Sequence, residues 1–394
     1  MIYAFDEFEL DTAKVELRCN CNPVAIEPQV FALLHLLVEN ADRMVSRDEI
    51  IETVWKGRFI SEAAVASRIS MARSALGDDG KQQRYIKTVH GQGLIFRGQL
   101  NSAETPGTSI PSAPPPNNQM VRFCQASDGT RVAWARVGNG PPIVKAAQWL
   151  THLDLDWTSP LDSEQLRRFS QTHEVIRYDG RGNGLSDWNI SDLTFEHMVD
   201  DLEAVVDAAG CERFPLVGLS QGVAVAIEYA VRHPERVTHL VFHGGFSSGW
   251  NVTGSEQKIA EYNALETLLV TQWGSENASM RQLISTTFMP SANDEEIDWF
   301  NEFQKKTTSA QNVVMFMKAI GDIDVRDKLS RIKVPTLVTH SNDDQIVEIH
   351  QARELASCIP NAQFLGLNSE HHSLIDREPA MTEFLDAALA FIAQ

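Results

Sequence analysis

Residues 216 to 222 read Leu216-Val217-Gly218-Leu219-Ser220-Gln221-Gly222, a serine flanked by glycines at two-residue spacing after a short apolar run. A hydroxyl is a weak nucleophile unless a base takes its proton and an incoming carbonyl can reach it. G-x-S-x-G meets the second condition when it forms a sharp turn from strand into helix, because glycine lets the two backbones approach closely. The helix is legible: Val223, Ala224, Ile227 and Ala230 supply an apolar stripe, and His233-Pro234 stops it. Such a turn aims Ser220 outward and leaves the Gln221 N–H to donate to a developing oxyanion. The other reactive side chains form no comparable pattern. Cys19, Cys21, Cys124, Cys211 and Cys358 are odd in number and scattered, which favours free thiols in a reducing compartment. Cys19 and Cys21 stand too close for C-x-x-C, and no second pair completes a zinc set, so neither metal nor cofactor is expected.

The chain that must position Ser220 has 394 residues, enough for two domains, with 43% hydrophobic and 22% charged residues. Its formal charge of -19 excludes a protein that coats nucleic acid or anionic membrane over its whole surface. The charge is uneven, however: residues 47 to 97 hold 9 basic and 6 acidic side chains. Short alternating segments from Tyr3 to Leu17 predict a small antiparallel sheet. Val30, Leu33, Leu34 and Leu37 then recur at helical spacing up to Asn40. Ser46 with Glu49 is a capping box opening a second helix through Ile50, Ile51 and Val54 to Trp55. Ser61 caps a third helix, with Val65, Ile69, Ala72 and Leu76 inward and Gly77 as its stop. Arg84 to Val89 and Leu94 to Phe96 predict a hairpin joined by His90-Gly91-Gln92-Gly93.

In this order of elements, in Val45-Ser46-Arg47-Asp48-Glu49-Ile50, in Trp55 and in Gly91-x-Gly93, residues 1–100 resemble the OmpR/PhoB-type winged-helix DNA-binding domain, an α+β fold. The resemblance implies that the helix from Ser61 to Leu76 enters the major groove and the hairpin wing reaches the adjacent minor groove. Ser67, Ser70, Met71 and Ser74 then face outward, flanked by Arg68 and Arg73, with Arg58, Lys87 and His90 as further expected DNA contacts. So few charges imply modest affinity per monomer, and a homodimer is expected.

Residues 101–119, including Pro111-Ser112-Ala113-Pro114-Pro115-Pro116, cannot bury a core and read as a semi-rigid linker. A second domain is expected over 120–394. Its segments Val121–Ala126 and Arg131–Val137 read as a hairpin. Ile143–Ala147, Val175–Tyr178, Pro215–Val217, His239–His243, Thr336–His340 and Gln363–Leu367 follow as strands mostly separated by helices, which implies a largely parallel sheet. With the loop Asp179-Gly180-Arg181-Gly182-Asn183-Gly184-Leu185-Ser186, the late strand at Val334-Pro335-Thr336-Leu337 and the serine turn, these residues resemble the α/β-hydrolase fold over their whole length. The resemblance implies a catalytic trio in the order Ser220, Asp344 and His372, with Asp343 and His371 as adjacent rivals. Where that family commonly carries His-Gly after its third strand, this chain has Lys145-Ala146-Ala147-Gln148-Trp149-Leu150. Trp149, beside Gln148, is then the expected partner of Gln221 around the oxyanion.

Helical patterns from about residue 250 to 324 occupy the position of a lid, rich in Trp273, Phe288, Met289, Trp299, Phe300 and Phe303. Most of these should form the lid's own core and the rest line a mostly apolar pocket over Ser220. Two functions fit. One is a one-component transcriptional regulator that binds DNA and senses a small, largely apolar molecule, such as an ester or other carbonyl compound, in the hydrolase-like pocket. The other is a working serine esterase or amidase with an accessory DNA-binding domain. Without a signal peptide pattern or a run of about 18 apolar residues, the cytoplasm is the expected location and no membrane partner is expected.

Overall fold

The computed structural model describes residues 2–394 apart from 7, 13, 15, 20, 21, 25, 42–43, 56–61, 79–82, 90–92, 99, 102–118 and 276–277. Arg58, His90, the Ser61 cap and nearly all of the expected linker lie outside the described residues. The chain divides into two compact units, Met1–Ile110 and Pro111–Gln394.

In the first unit, β1 (Ile2–Phe5), β2 (Phe8–Asp11), β3 (Glu16–Cys19) and β4 (Asn22–Val24) form an antiparallel sheet that β8 (Leu100–Asn101) extends beyond β1. α1 (Pro28–Glu39) buries Val30, Leu33, Leu34 and Leu37 on one face, and the Asn40 side chain closes it by donating to Leu36 O. β5 (Met44–Ser46) leads into α2 (Arg47–Trp55), where the Glu49 N–H donates to Ser46 Oγ at 3.2 Å as the capping box requires. α3 (Glu62–Ala75) turns Val65 and Ala72 into the core, with Leu76 buried just beyond it, and Gly77 stops the helix with φ of 60°. β6 (Ile86–Val89) and β7 (Gly93–Phe96) form the hairpin, and β7 also pairs with β5. The β5 pairing was not expected, because a three-residue strand is too short to show a period.

The second unit is an eight-stranded sheet in the order β16-β15-β14-β13-β11-β12-β10-β9. β9 (Met120–Gln125) and β10 (Arg131–Val137) are antiparallel, and β10 pairs antiparallel to β12 (Glu174–Tyr178). β11 (Pro142–Lys145), β13 (Phe214–Leu219), β14 (Val237–His243), β15 (Thr336–Ser341) and β16 (Ala362–Leu367) run parallel. Helices cover both faces, so the central strands are apolar on alternate sides. Val144, Leu216 and Leu240 pack with α5 (Phe195–Ala209), α6 (Gly222–Arg232) and α12 (Ile349–Cys358). Their neighbours Ile143, Val217 and Val241 pack with α4 (Ser163–Thr172) and α13 (Pro379–Ile392).

Among the described residues, five α-helices are inserted between β14 and β15: α7 (Trp250–Thr253), α8 (Glu256–Gln272), α9 (Ser279–Phe288), α10 (Asp294–Thr307) and α11 (Ala310–Gly321). Trp273, Met289, Phe300 and Phe303 are buried there, and Phe288 and Trp299 pack against them half-buried. Among the described residues no helix is long and apolar enough to cross a membrane.

Candidate active site

β13 delivers Ser220 to the top of the sheet. The residue sits at φ 51°, a left-handed conformation that costs a non-glycine residue about 1 to 3 kcal/mol. Two hydrogen bonds hold it there: its N–H donates to His243 O at 3.0 Å, and Val223 N–H donates to its carbonyl at 3.1 Å. Both flanking glycines are sterically required. A Cβ on Gly218 would lie 2.7 Å from Gly222 O, and one on Gly222 would lie 2.9 Å from Ala147 O. The motif therefore packs strand, helix and the loop after β11 against one another.

His372 lies in the loop between β16 and α13. Its N–H donates to Phe288 O at 2.9 Å, and its ring meets the Phe288 ring edge-on at 5.2 Å. Asp344 follows β15, and one of its oxygens, Oδ1, accepts from the Ile346 and Val347 N–H groups at 2.8 and 3.1 Å. Its other oxygen accepts from His372 Nδ1 at 2.7 Å, and His372 Nε2 lies 3.0 Å from Ser220 Oγ. With Nδ1 protonated against a carboxylate, Nε2 is the acceptor and the serine hydroxyl donates to it. That is the protonation pattern a general base needs.

The rivals lie elsewhere. Asp343 is exposed and bonds through its backbone, its N–H donating to Ser369 O and its carbonyl accepting from Gln345 Nε2, while His371 Nε2 lies 3.2 Å from Ser291 Oγ on the inserted segment. Burial acts to raise the Asp344 carboxyl, but the electrostatic pull of His372, its hydrogen bond and the Val347 N–H outweigh it and hold the acid below its usual range. A second imidazole supports it: His340 Nε2 donates to Val347 O at 2.8 Å and lies 3.6 Å from Asp344 Oδ2. His243 stays neutral, because burial and then the neighbouring His340 and His372 push it down to about 3. Around Ser220, the backbone N–H groups of Gln221, Gln148 and Trp149 donate to no other group among the described residues.

A family model described as alpha/beta hydrolase fold matches residues 155–378, more than half of the chain. The chain belongs to the α/β-hydrolase fold family. A second model, described as transcriptional regulatory protein, C terminal, matches residues 22–96, so a regulatory DNA-binding domain and a hydrolase domain are fused. The hydrolase part is 30% identical over 253 residues to a non-heme haloperoxidase of Rhodococcus erythropolis, covering 61% of this chain and 89% of that protein. It is 28% identical to a putative carbamate hydrolase RutD of Caulobacter sp. (strain K31), over 50% of this chain and 73% of that one. Among solved structures, the esterase EaEST from Exiguobacterium antarcticum superposes with a TM-score of 0.61 at 21% identity, covering 70% of this chain and all of that one, a likeness of fold.

The Ser220 site opens into a cleft. Phe288, Phe300 and Phe303 of the inserted segment line it, with Trp149 and Leu150 from the loop after β11. The Trp149 and Phe288 ring centres stand 6.5 Å apart, so the indole narrows the space beside Ser220. One wall is polar, and of its residues the sequence pointed to Gln148 alone. There Lys145 Nζ donates to Asp162 Oδ1 at 2.8 Å with both side chains buried, and Ser159, Gln148 and Gln165 stand beside them. For the others the only signal was a lysine ending an apolar strand.

On the regulatory unit, α3 exposes Ser67, Ser70 and Ser74. Arg68 is turned aside to Gln29 Oε1 and Glu27, at 3.0 and 3.1 Å. Met71 is half-buried against the core rather than facing outward, because its long side chain reaches apolar surface that a serine cannot. Arg73 donates to Ile86 O and Thr88 Oγ1, both at 2.8 Å, and so ties α3 to β6. Lys87 is half-buried on β6.

Proposed function

We propose that this protein is a one-component transcriptional regulator whose amino-terminal domain, a winged helix of the OmpR/PhoB type, binds DNA. Its α/β-hydrolase domain takes a small carbonyl compound at Ser220, beneath a lid formed by α7 to α11. It acts in the cytoplasm as a homodimer. The observation that carries the reading is the hydrogen-bonded line Ser220, His372, Asp344, at 3.0 and 2.7 Å, in a chain that also matches a regulatory DNA-binding family. On binding, His372 Nε2 takes the Ser220 proton as Oγ bonds to the carbonyl carbon. The negative oxygen forms within reach of the free N–H groups of Gln221 and of Gln148 or Trp149. Collapse breaks the bond to the leaving group, which receives the proton from His372, and water repeats the sequence on the acyl-enzyme. The relatives' printed names, a carbamate hydrolase and esterases among them, support a carbonyl bearing an oxygen or nitrogen leaving group.

Coupling to DNA requires that the ligand favour one conformation or dimer arrangement of the chain. The test pairs two measurements on the full chain: covalent labelling of Ser220 by a fluorophosphonate, and ligand-dependent retardation of an operator selected from random DNA. Labelling that His372→Ala abolishes, with a DNA response that survives Ser220→Ala, supports a sensor with an activated serine. Turnover with no effect of any ligand on DNA binding favours the second reading, a working esterase or amidase, for which the compact triad geometry speaks.

A further inference from the structure

On the polar wall of the cleft, two carboxamide oxygens stand without donors. Gln165, on α4, is 2% exposed, and its Oε1 finds no hydrogen-bond donor; Gln148 Oε1 is likewise buried and unpaired. Buried acceptors without partners are rare in folded proteins, because each forgoes its bonds to water. Asp162 beside them is already matched: Oδ1 accepts from Lys145 Nζ and from Gln148 Nε2 at 2.8 and 3.4 Å, and Oδ2 from Ser159 Oγ at 3.3 Å. The Lys145 ammonium cancels the carboxylate charge, so what remains unmatched on this wall is neutral. Facing it in the same cleft are Ser220 and the apolar Phe288 and Phe300.

From this arrangement we infer a second recognition subsite for the ligand of the proposed function, on which the inference rests. The carbonyl end lies at Ser220, an apolar segment lies along Phe288 and Phe300, and a neutral O–H or N–H donor lies against Gln165 and Gln148. The ligand class is thereby narrowed from largely apolar carbonyl compounds to those with a hydroxyl or amide at the far end. A free carboxylate, which can only accept, is disfavoured by the two acceptor oxygens. An ammonium group gains nothing from a wall whose charge Lys145 has cancelled.

The experiment is calorimetric titration of the full-length Ser220→Ala protein, which binds without turnover, with methyl heptanoate and with its isostere carrying a hydroxyl in place of the terminal methyl. The hydroxy ester should bind about tenfold more tightly, the worth of about one added hydrogen bond. Gln165→Leu should abolish or invert that preference, and Gln165→Met serves as a second variant of different shape, each checked for an unchanged unfolding midpoint. Equal affinities, a preference for the alkyl ester, a ratio untouched by both variants, or binding of neither ester overturns the subsite. Fluorophosphonate labelling of the parent protein reports the acyl-transfer reading separately. A preference that Gln165 controls, with Ser220 unlabelled, leaves the subsite standing and removes the hydrolytic role.

Discussion

Asp344→Asn tests the site most sharply, because the structure dictates how the replacement must sit. Oδ1 of Asp344 faces two backbone donors, Ile346 N–H and Val347 N–H, at 2.8 and 3.1 Å. An asparagine keeps its oxygen there, since turning the amide round would set NH₂ against two N–H groups. The NH₂ is therefore forced towards His372 Nδ1, now at 2.7 Å from the carboxylate. Nδ1 must then accept, so Nε2 carries the proton and meets Ser220 Oγ as a donor. The serine loses its base while every heavy atom stays in place. The expected loss of turnover or labelling rate is about 10⁴-fold, equivalent to roughly 5.5 kcal/mol of barrier. The stability cost should be far smaller, about 1 to 2 kcal/mol, because neutral hydrogen bonds replace charge-assisted ones. Stopped-time fluorophosphonate labelling, read at Ser220 by mass spectrometry with Ser220→Ala as the blank, measures the first quantity, and urea unfolding the second. Labelling by Asp344→Asn within tenfold of the parent, or loss of labelling in Asp343→Asn instead, refutes the assignment of the acid.

Gly222→Ala adds a Cβ 2.9 Å from Ala147 O and so pushes the loop carrying Gln148 and Trp149 from the elbow. Labelling of Ser220 should slow about 10²-fold in a protein that still unfolds cooperatively, and an unchanged rate denies that this loop helps hold the oxyanion. Burial, reinforced by Asp162 and opposed by the Ser163 hydroxyl, pushes Asp376 up to about 7. The stability tied to its proton is therefore complete below the ordinary aspartate range and lost as pH rises through neutrality. Asp376→Asn should accordingly gain about 2 to 4 kcal/mol on the parent near pH 8 and little near pH 4, and an equal difference at both pH values contradicts this. Arg73→Ala should lower the stability of the regulatory domain by about 1 to 3 kcal/mol through lost bonds to Ile86 O and Thr88 Oγ1. Replacing Ser67, Ser70 and Ser74 by alanine should leave the unfolding midpoint alone and weaken operator binding in fluorescence anisotropy; the opposite pattern would show that Arg73 reads DNA.

What was legible in the sequence follows the range of the interactions concerned. Helix periods, the Ser46 cap, the Gly77 stop and the serine turn are set by residues within a few positions of one another, and the chain spells them out. The α/β-hydrolase architecture of the second domain came through the resemblance to a family, as did the positions of Asp344 and His372, 124 and 152 residues beyond Ser220, whereas the order of the strands in the sheet comes from the structure. Spacing favours the second member of each adjacent pair, and the geometry that separates them is long-range. Asp343 and Asp344 differ in which carboxylate turns inward to two backbone N–H groups, and His371 and His372 in which ring faces β13. The reading face of α3 was harder to judge. Helical spacing correctly separates Ser67, Ser70 and Ser74 from the core, but it cannot show that a long side chain one step away bends back, as Met71 and Arg73 do.

The polar wall of the cleft shows the same limit in a form that changes the chemistry. Lys145 ends β11, Asp162 precedes α4, Gln165 lies one turn into it and Gln148 belongs to the loop between, so no local pattern joins them. Taken singly, each is a polar residue near the end of an element, where solvent exposure is the ordinary fate. Folding places all four beside an apolar floor, and the Lys145 charge cancels that of Asp162 at 2.8 Å. Had either ion been alone, its burial would have been costly enough to demand a charged ligand. Because they are paired, the unmatched capacity falls on the two carboxamide oxygens, and selectivity in this cleft becomes a matter of one neutral donor rather than of charge. Lys145→Met should reverse that balance by leaving Asp162 buried and uncompensated. The variant should either lose stability or bind an ammonium-bearing isostere of methyl heptanoate that the parent rejects. Unchanged stability together with unchanged rejection of that cation would show that the pair does not set the charge of the wall.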